Sequence, residues 1–400
     1  MPYRSNNRRP AYGRARYPKG GGGNRRGGPK KENIHPSRFV KAASTTVAEV
    51  YAPKHTFADF NCNQLLKTNL TNNKIVVPTP IQDQAIPRAL SGEDIVGIAD
   101  TGTGKTLAFA IPVLNRLMSN HRAKALILAP TRELAQQINQ EFLTLGQGAH
   151  VRSAVLIGGS GMYPQLKALR SVSRLVIGTP GRIKDHIERR SLDLSAFDII
   201  VLDEFDRMLD MGFVGDVRSI LSRMKTQRQS FFFSATLDAR VKALISEFSR
   251  QPATISVKTG ETIDNVDQNI VNYGSRSDKV EKLHDLLISG PGTKALVFDD
   301  TQRSVQKLSD ELSVRGFKTD AIHGGKSQGQ RQRALKRFRD GEISVLVATD
   351  VAARGIDVPD ITHVVNYSTP SSYNDYIHRI GRTGRAGQTG FALTFIGETR

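Results

Sequence analysis

Two stretches of this 400-residue chain carry side chains that could handle a magnesium-bound triphosphate. The first is Ala99-Asp100-Thr101-Gly102-Thr103-Gly104-Lys105-Thr106, followed by Leu107-Ala108-Phe109. It reads as a phosphate-binding loop, with Ala99 where the first glycine of that pattern usually stands. Glycines let successive backbone N–H groups close around phosphate oxygens, and a helix beginning there adds its positive dipole end. Thr101, Gly102, Thr103 and Gly104 would form the cradle, Lys105 would reach the β- and γ-phosphates, and the Thr106 hydroxyl would ligate Mg²⁺. Asp100 would be repelled by phosphate and is expected to point away. The second stretch, Val201-Leu202-Asp203-Glu204-Phe205-Asp206, ends an apolar run in carboxylates. Asp203 would hold the metal, mostly through water, and Glu204 would position and deprotonate an attacking water. A plain glycine turn and a solvated acidic turn are the bland readings. The order of the two stretches, each after an apolar run, disfavours both.

Such groups act together only if the backbone delivers them to one place. Ile95 to Ala99, Ala125 to Ala129, Ala154 to Ile157, Leu175 to Ile177, Ile199 to Leu202 and Phe231 to Phe233 are apolar at nearly every position. Runs of this kind, separated by amphipathic stretches, predict a parallel sheet covered by helices on both faces. The pattern pauses over residues 251–267, a polar stretch containing Gly260 that reads as a linker. It resumes with Ala295 to Phe298, Val345 to Ala348, Val364 to Tyr367 and Phe391 to Phe395. The expected architecture is therefore α/β, with one parallel-sheet domain over residues 55–250 and a second over 268–400. Ligands of such sheets bind beyond the carboxyl ends of the strands, where the motifs fall.

Residues 1–42 differ in kind. They are rich in Gly, Arg, Asn and Pro, and too poor in apolar groups to offset the entropy of ordering, so they read as a disordered tail. Residues 1–41 hold 12 basic side chains against one acid, Glu32, within a chain of net charge +19. Tyr3, Tyr12 and Tyr17 lie among the arginines and offer stacking faces. Charge and rings together favour a polyanionic partner, RNA above all, over an anionic membrane. Glycine and proline argue against an amphipathic targeting helix, and no apolar run is long enough for a secretory signal or a membrane span. The single cysteine, Cys62, forms no internal disulfide and fits a reducing cytoplasm.

Between these landmarks lie further motifs: Pro78-Thr79-Pro80-Ile81-Gln82, Pro130-Thr131-Arg132-Glu133-Leu134-Ala135, Gly158-Gly159, Thr179-Pro180-Gly181-Arg182 and Ser234-Ala235-Thr236. Later come Gln328 and Arg331, the run Thr349 to Asp357, and His378-Arg379-Ile380-Gly381-Arg382-Thr383-Gly384-Arg385. In order and spacing, from about Phe57 to Ile396, the chain resembles a DEAD-box protein of helicase superfamily two. The resemblance implies two tandem RecA-like domains and an ATP-dependent RNA helicase using ATP and Mg²⁺. It assigns Gln82 to the adenine edge, with Phe57 stacked on the ring, although Phe57 taken alone reads as core. Pro130, Thr131, Arg132, Gly158, Gly159, Thr179, Pro180, Gly181 and Arg182 go to the RNA backbone. On the second domain Gln328, Arg331, Thr349, Arg354 and Gly355 are given the same task. Asp357 is assigned to the ATP ribose, and Arg382 and Arg385 to the γ-phosphate as arginine fingers. Asp206, Ser234, Thr236 and His378 would couple hydrolysis to RNA. Two departures stand out: Lys74-Ile75 replaces the usual Gly-aromatic pair, and Phe205 replaces the usual alanine, where it is expected to fill a neighbouring apolar space.

With half of each site on each domain, ATP and single-stranded RNA would favour each other's binding. Local, non-processive unwinding by a cytoplasmic monomer, with possible ribonucleoprotein partners, is the expectation. An ATP-gated RNA clamp, a DNA translocase and an ATP-independent annealing protein are the competing readings.

Overall fold

The structure, a computed structural model, describes Glu32, residues 34–43, 51–99, 102–171, 173–249, 251–257, 265–289 and 292–353, Val358, and residues 360–384 and 388–398. Strands appear where β-branched and aromatic residues are buried on both sides. The first sheet consists of β1 (Ile95–Ala99), β2 (Ala125–Leu128), β3 (Ser153–Leu156), β4 (Leu175–Gly178), β5 (Ile199–Leu202), β6 (Gln229–Ser234) and β7 (Ala253–Val257). Its order is β3-β4-β2-β5-β6-β1-β7, and the pairs are parallel, as with Ile95 opposite Phe231 and Ile98 opposite Ser234. Alternate residues face opposite sides. Ile95, Ile127, Val201 and Phe233 meet the helices Pro80–Leu90, Lys105–Ser119 and Arg132–Leu145 on one face. Val96, Leu126, Leu202 and Phe232 meet Pro180–Glu188, Val214–Leu221 and Ala239–Phe248 on the other.

The second sheet is built likewise from β8 (Val266–Tyr273), β9 (Ala295–Phe298), β10 (Thr319–Ile322), β11 (Val345–Ala348), β12 (His363–Asn366) and β13 (Gly390–Gly397), in the order β10-β11-β9-β12-β13-β8. Helices Arg276–Ile288 and Gln302–Val314 cover one face, and Gln328–Arg339 the other. Two parallel-sheet α/β domains, as expected, make up the chain.

Two boundaries need correction. The polar stretch 251–267 is not all linker: Ala253–Val257 pairs with β1 residue by residue, and β8 begins at Val266. Both lie at sheet edges, where one flank faces water and polar residues alternate with apolar ones. Residues 258–264 lie outside the described residues. The end of the basic tail is likewise ordered. Pro36–Phe39 forms a 3₁₀ turn and Phe39 is fully buried, whereas residues 1–31 lie outside the described set.

Candidate nucleotide pocket and domain junction

The phosphate loop leaves β1 and runs into the helix Lys105–Ser119. Gly104 has φ +89 and closely faces the Gln82 amide, so a Cβ there would be strained and would clash. Gln82 fixes this approach: its Nε2 donates to Gly104 O at 3.0 Å, and its Oε1 accepts from Thr79 N at 2.9 Å. The amide therefore ties the helix Pro80–Leu90 to the loop and keeps one N–H and one lone pair for a ligand. Lys105 is buried, and its Nζ donates to Ala99 O at 2.7 Å, spanning the loop that would hold phosphate. Asp100 and Thr101 lie outside the described residues.

Beside Gln82, Asp83 is an anchor that sequence reasoning missed. Its carboxylate accepts from the Tyr51 hydroxyl, Lys54 N (2.9 Å), and the backbone N and Nδ1 of His55 (3.1 and 2.7 Å). Burial alone would raise this carboxyl's pKa, but the hydrogen bonds from Tyr51, Lys54 and His55 hold it below the ordinary value. The anchored segment leads to Phe57, which is buried edge-on to Phe60 at 5.7 Å. Lys74 stands where the family has glycine and takes the left-handed conformation, φ +58, after the helix Gln64–Asn72. Ile75 closes that turn through its N–H to Leu70 O at 2.9 Å and packs on the core. Cys62 is half-buried, and burial pushes its thiol pKa up, as befits an idle packing residue.

At the end of β5, Asp203 and Glu204 are both buried, and Glu204 adopts a left-handed backbone, φ +48. A strained non-glycine residue is held there because its surroundings over-determine it. Burial pushes the Asp203 carboxyl up to about 7, with Lys105 pulling it back down and Glu204 adding repulsion. A hard divalent cation would relieve that cost, so the donor set fits Mg²⁺. Asp206 Oδ2 accepts from Ala235 N (3.1 Å), Thr236 N (3.0 Å) and the Thr236 hydroxyl (3.1 Å). Thr236 is thus joined to the acidic motif. Ser234 is not: its hydroxyl donates to Thr236 O at 2.7 Å, within its own turn. Phe205 points the other way, fully buried against Phe232 at 5.8 Å, and leaves the carboxylates in place.

Because β3, β4 and β2 are neighbours, their loops converge. Thr131 caps the helix Arg132–Leu145, accepting from Leu134 N at 3.3 Å, with Pro130 buried before it. The Arg132 guanidinium lies over Gly158 and Gly159, where Gly159 has φ +72 and any Cβ would overlap it. Thr179 and Pro180 start the next helix, Gly181 stands open, and Arg182 Nη2 reaches Ser160 O at 3.4 Å. Two guanidinium groups thus flank one glycine loop.

Two residues expected on RNA are spent between the domains. Gln328 Nε2 donates to Glu133 Oε1 (3.2 Å) and Gln136 Oε1 (3.1 Å), and Arg331 Nη2 pairs with Glu133 Oε2 at 2.8 Å. Glu133 and Gln136 were legible as polar helix residues but not as partners. Thr349 is buried at the end of β11, its carbonyl accepting from Ala352 and Ala353 N. Arg354, Gly355, Asp357 and Arg385 lie outside the described residues. A second junction forms where Arg207, whose Nε is 3.6 Å from Glu204 Oε2, shares a narrow crevice with His378, Arg379 and Arg382. Arg379, also missed from sequence, grips Asp350 with both sides of its fork (2.6 and 2.7 Å) and donates to Ser368 O at 2.7 Å.

A strand, glycine loop and helix start on one parallel-sheet domain, with its acidic strand end meeting an arginine and histidine crevice of a second such domain, fit a helicase-type nucleotide hydrolase. The DEAD/DEAH box helicase family matches residues 79–244, and the helicase conserved C-terminal domain matches residues 278–387. The chain is 42% identical over 343 residues to the DEAD-box ATP-dependent RNA helicase CshA of Bacillus subtilis, covering 85% of this chain and 69% of that protein. It is 41% identical to the Listeria monocytogenes ATP-dependent RNA helicase CshA over 85% of this chain and 66% of that one. It superposes on Saccharomyces cerevisiae Dbp5 bound to RNA and ADP BeF3 with a TM-score of 0.77, at 29% identity, over 86% of this chain and 90% of that one. Mss116p bound to ssRNA and AMP-PNP gives 0.76 at 29% identity, over 87% and 77%. The chain belongs to the DEAD-box ATP-dependent RNA helicases.

Proposed function

We propose that the protein hydrolyses ATP when RNA is bound and uses the cycle to separate short RNA duplexes locally or to remodel RNA–protein complexes. The observation that carries this reading is the junction itself: Arg207 beside the acidic strand end shares one crevice with His378 and Arg382 of the other domain. A likeness to structures holding RNA and a nucleotide supports the same reading.

Lys105 would exchange the Ala99 carbonyl for phosphate oxygens, and Thr101 to Thr106 would cradle them. Gln82 would give its spare N–H and lone pair to adenine beside Phe57, and Asp357 would meet the ribose. Asp203 and Thr106 would hold Mg²⁺, which neutralises phosphate charge. Glu204 would take the proton of the attacking water, while Arg382 and Arg385 stabilise the charge on the transferred group, a contribution typically of about 10³–10⁵ in rate. RNA would lie by its backbone on Arg132, Arg182 and the loops at Gly158-Gly159 and Thr179 to Gly181, continuing to Thr349, Arg354 and Gly355. Gln328 and Arg331 would keep the two halves of that track in register. A strand bent to this track no longer fits a duplex. With stacking worth about 1.4 kcal/mol per step, only short helices are released. Loss of the γ-phosphate frees the arginines, and the domains part.

We place this work in the cytoplasm, on a monomer, with ribonucleoprotein partners. No described helix is long and apolar enough to cross a membrane. The test is ATP turnover with single-stranded RNA, DNA or neither, alongside displacement of a short RNA duplex. Turnover stimulated by RNA alone, together with ATP-dependent displacement abolished by Lys105→Ala, is expected. Stimulation by DNA, or displacement without ATP, refutes the reading.

A further inference from the structure

The ordered end of the basic arm lies against the helix Tyr373–Ile380, whose last turn leads to Arg382. Phe39 is buried among Val266, Tyr376, Ile380 and Ala392, with its ring edge-on to Tyr376 at 4.8 Å. Arg38 places its guanidinium 3.6 Å from the centre of the Tyr373 ring. Lys41 and Gln268 exchange two backbone hydrogen bonds (2.9 and 2.8 Å), extending the sheet at its β8 edge. Gln268 in turn accepts from the Tyr376 hydroxyl at 2.9 Å. At the start of the helix, Glu32 N donates to Ser371 O and its carboxylate accepts from Tyr373 N, both at 2.9 Å. A negative charge is favoured there by the helix dipole. Glu32, Arg38, Phe39 and Lys41 therefore hold the start, the outer face and the neighbouring strand of one helix. On its inner side the same helix is fixed by Arg379 on Asp350 and Ser368.

An arginine and glycine tail that only carried charge would have no cause to bury a phenyl ring under this helix. We propose that Glu32 and residues 34–41 are a positioning arm, in which Phe39 and Glu32 set the attitude of the helix Tyr373–Ile380 and hence the aim of Arg382. The arm touches neither ATP nor RNA in this role. It governs the chemical step through the helix, because displacing a charge-stabilising group by about 1 Å can cost about 10²-fold in rate. The inference rests on the role proposed above for Arg382.

Full-length Phe39→Ala, Phe39→Leu, Glu32→Ala and Arg382→Ala are compared for ATP turnover at saturating RNA and for affinity towards a fluorescent ADP. Phe39→Ala should lower kcat by about 10- to 10²-fold while leaving the affinity for ADP, which lacks the γ-phosphate that Arg382 would meet, unchanged. Phe39→Leu should restore most of the loss. Glu32→Ala, at an exposed position, should cost about two- to fivefold in kcat. Phe39→Ala placed in an Arg382→Ala background should add nothing further. A folded Phe39→Ala with the kcat of the parent, or losses that add in the double variant, overturns the proposal. Should Phe39→Ala fail to fold, an unchanged kcat in Glu32→Ala overturns it instead. If Arg382→Ala leaves turnover intact, the arginine reading itself falls, whereas its collapse alongside an unaffected Phe39→Ala removes only the arm.

Discussion

Replacing Glu133 with Gln should open the molecule without unfolding it. Glu133 starts the helix Arg132–Leu145 on the first domain, and its carboxylate lies 2.8 Å from Arg331 on the second. The side chains are 2% and 7% exposed, and burial lowers the Arg331 pKa while Glu133 pulls it back up. Each charge is tolerated because the other is present. Removing one member of such a pair costs about 3–5 kcal/mol, mostly for the charge left buried. Here the partners belong to different domains, so separation returns Arg331 to water. The cost therefore falls on the closed arrangement and spares both cores. At about 1.4 kcal/mol per factor of ten, closure weakens by about 10²-fold to a few thousandfold. RNA affinity in the presence of a non-hydrolysable ATP analogue should fall towards that limit, and nucleotide affinity without RNA should not change. Fluorescence anisotropy of labelled RNA gives the affinity, and energy transfer between dyes on the two domains gives the closure. The charge-swapped pair Glu133→Arg with Arg331→Glu should recover part of the loss. A Glu133→Gln protein that closes and binds RNA like the parent, or one that instead melts at a much lower temperature, refutes this reasoning.

Thr236→Val removes the hydroxyl donor to Asp206 at 3.1 Å but keeps the two backbone donors. A bond to a charged group is worth about 1.5–3 kcal/mol, so strand displacement per ATP hydrolysed should fall while turnover persists, as parallel ATPase and displacement assays would record. Phe205→Ala empties a fully buried site beside Phe232 and should destabilise the first domain by about 3–5 kcal/mol, seen as a lower urea midpoint. Asp83 has its carboxyl pKa depressed in the folded chain, so it contributes stability above the unfolded value of about 3.9, and this is lost as pH falls through the folded value. Asp83→Asn should be less stable at neutral pH and should lose less on acidification, measured by urea unfolding from pH 7 downwards.

What could be read from the residues alone is what contiguous residues decide. Ile95 to Ala99, followed by Gly102, Gly104 and Lys105, specifies a strand, a turn and a helix start within a dozen positions, and the acidic end of β5 is equally local. Central strands were legible because burial on both faces leaves an unbroken apolar run. β7, β8 and β10 were not, since each occupies a sheet edge where Thr254, Ser256 or Asp320 alternate with apolar neighbours. Their identity as strands comes from the partner beside them. The lysine at position 74 and the phenylalanine at 205 were visible as departures, yet only packing revealed a left-handed turn in one and a filled core in the other.

Arginine by its nature seeks an anion, and the family resemblance assigned Arg331 to the RNA backbone. The folded chain offered it Glu133, about two hundred positions away, before any ligand arrives. Arg379 on Asp350, the anchor at Asp83 and the arm under Tyr376 share this character. Local propensity and periodicity therefore determined the central strands of the two sheets and the chemistry at the ends of β1 and β5. Which charged and aromatic groups would compensate one another was decided by the tertiary structure, because burial makes a polar group's partner obligatory and only packing determines which groups are buried together.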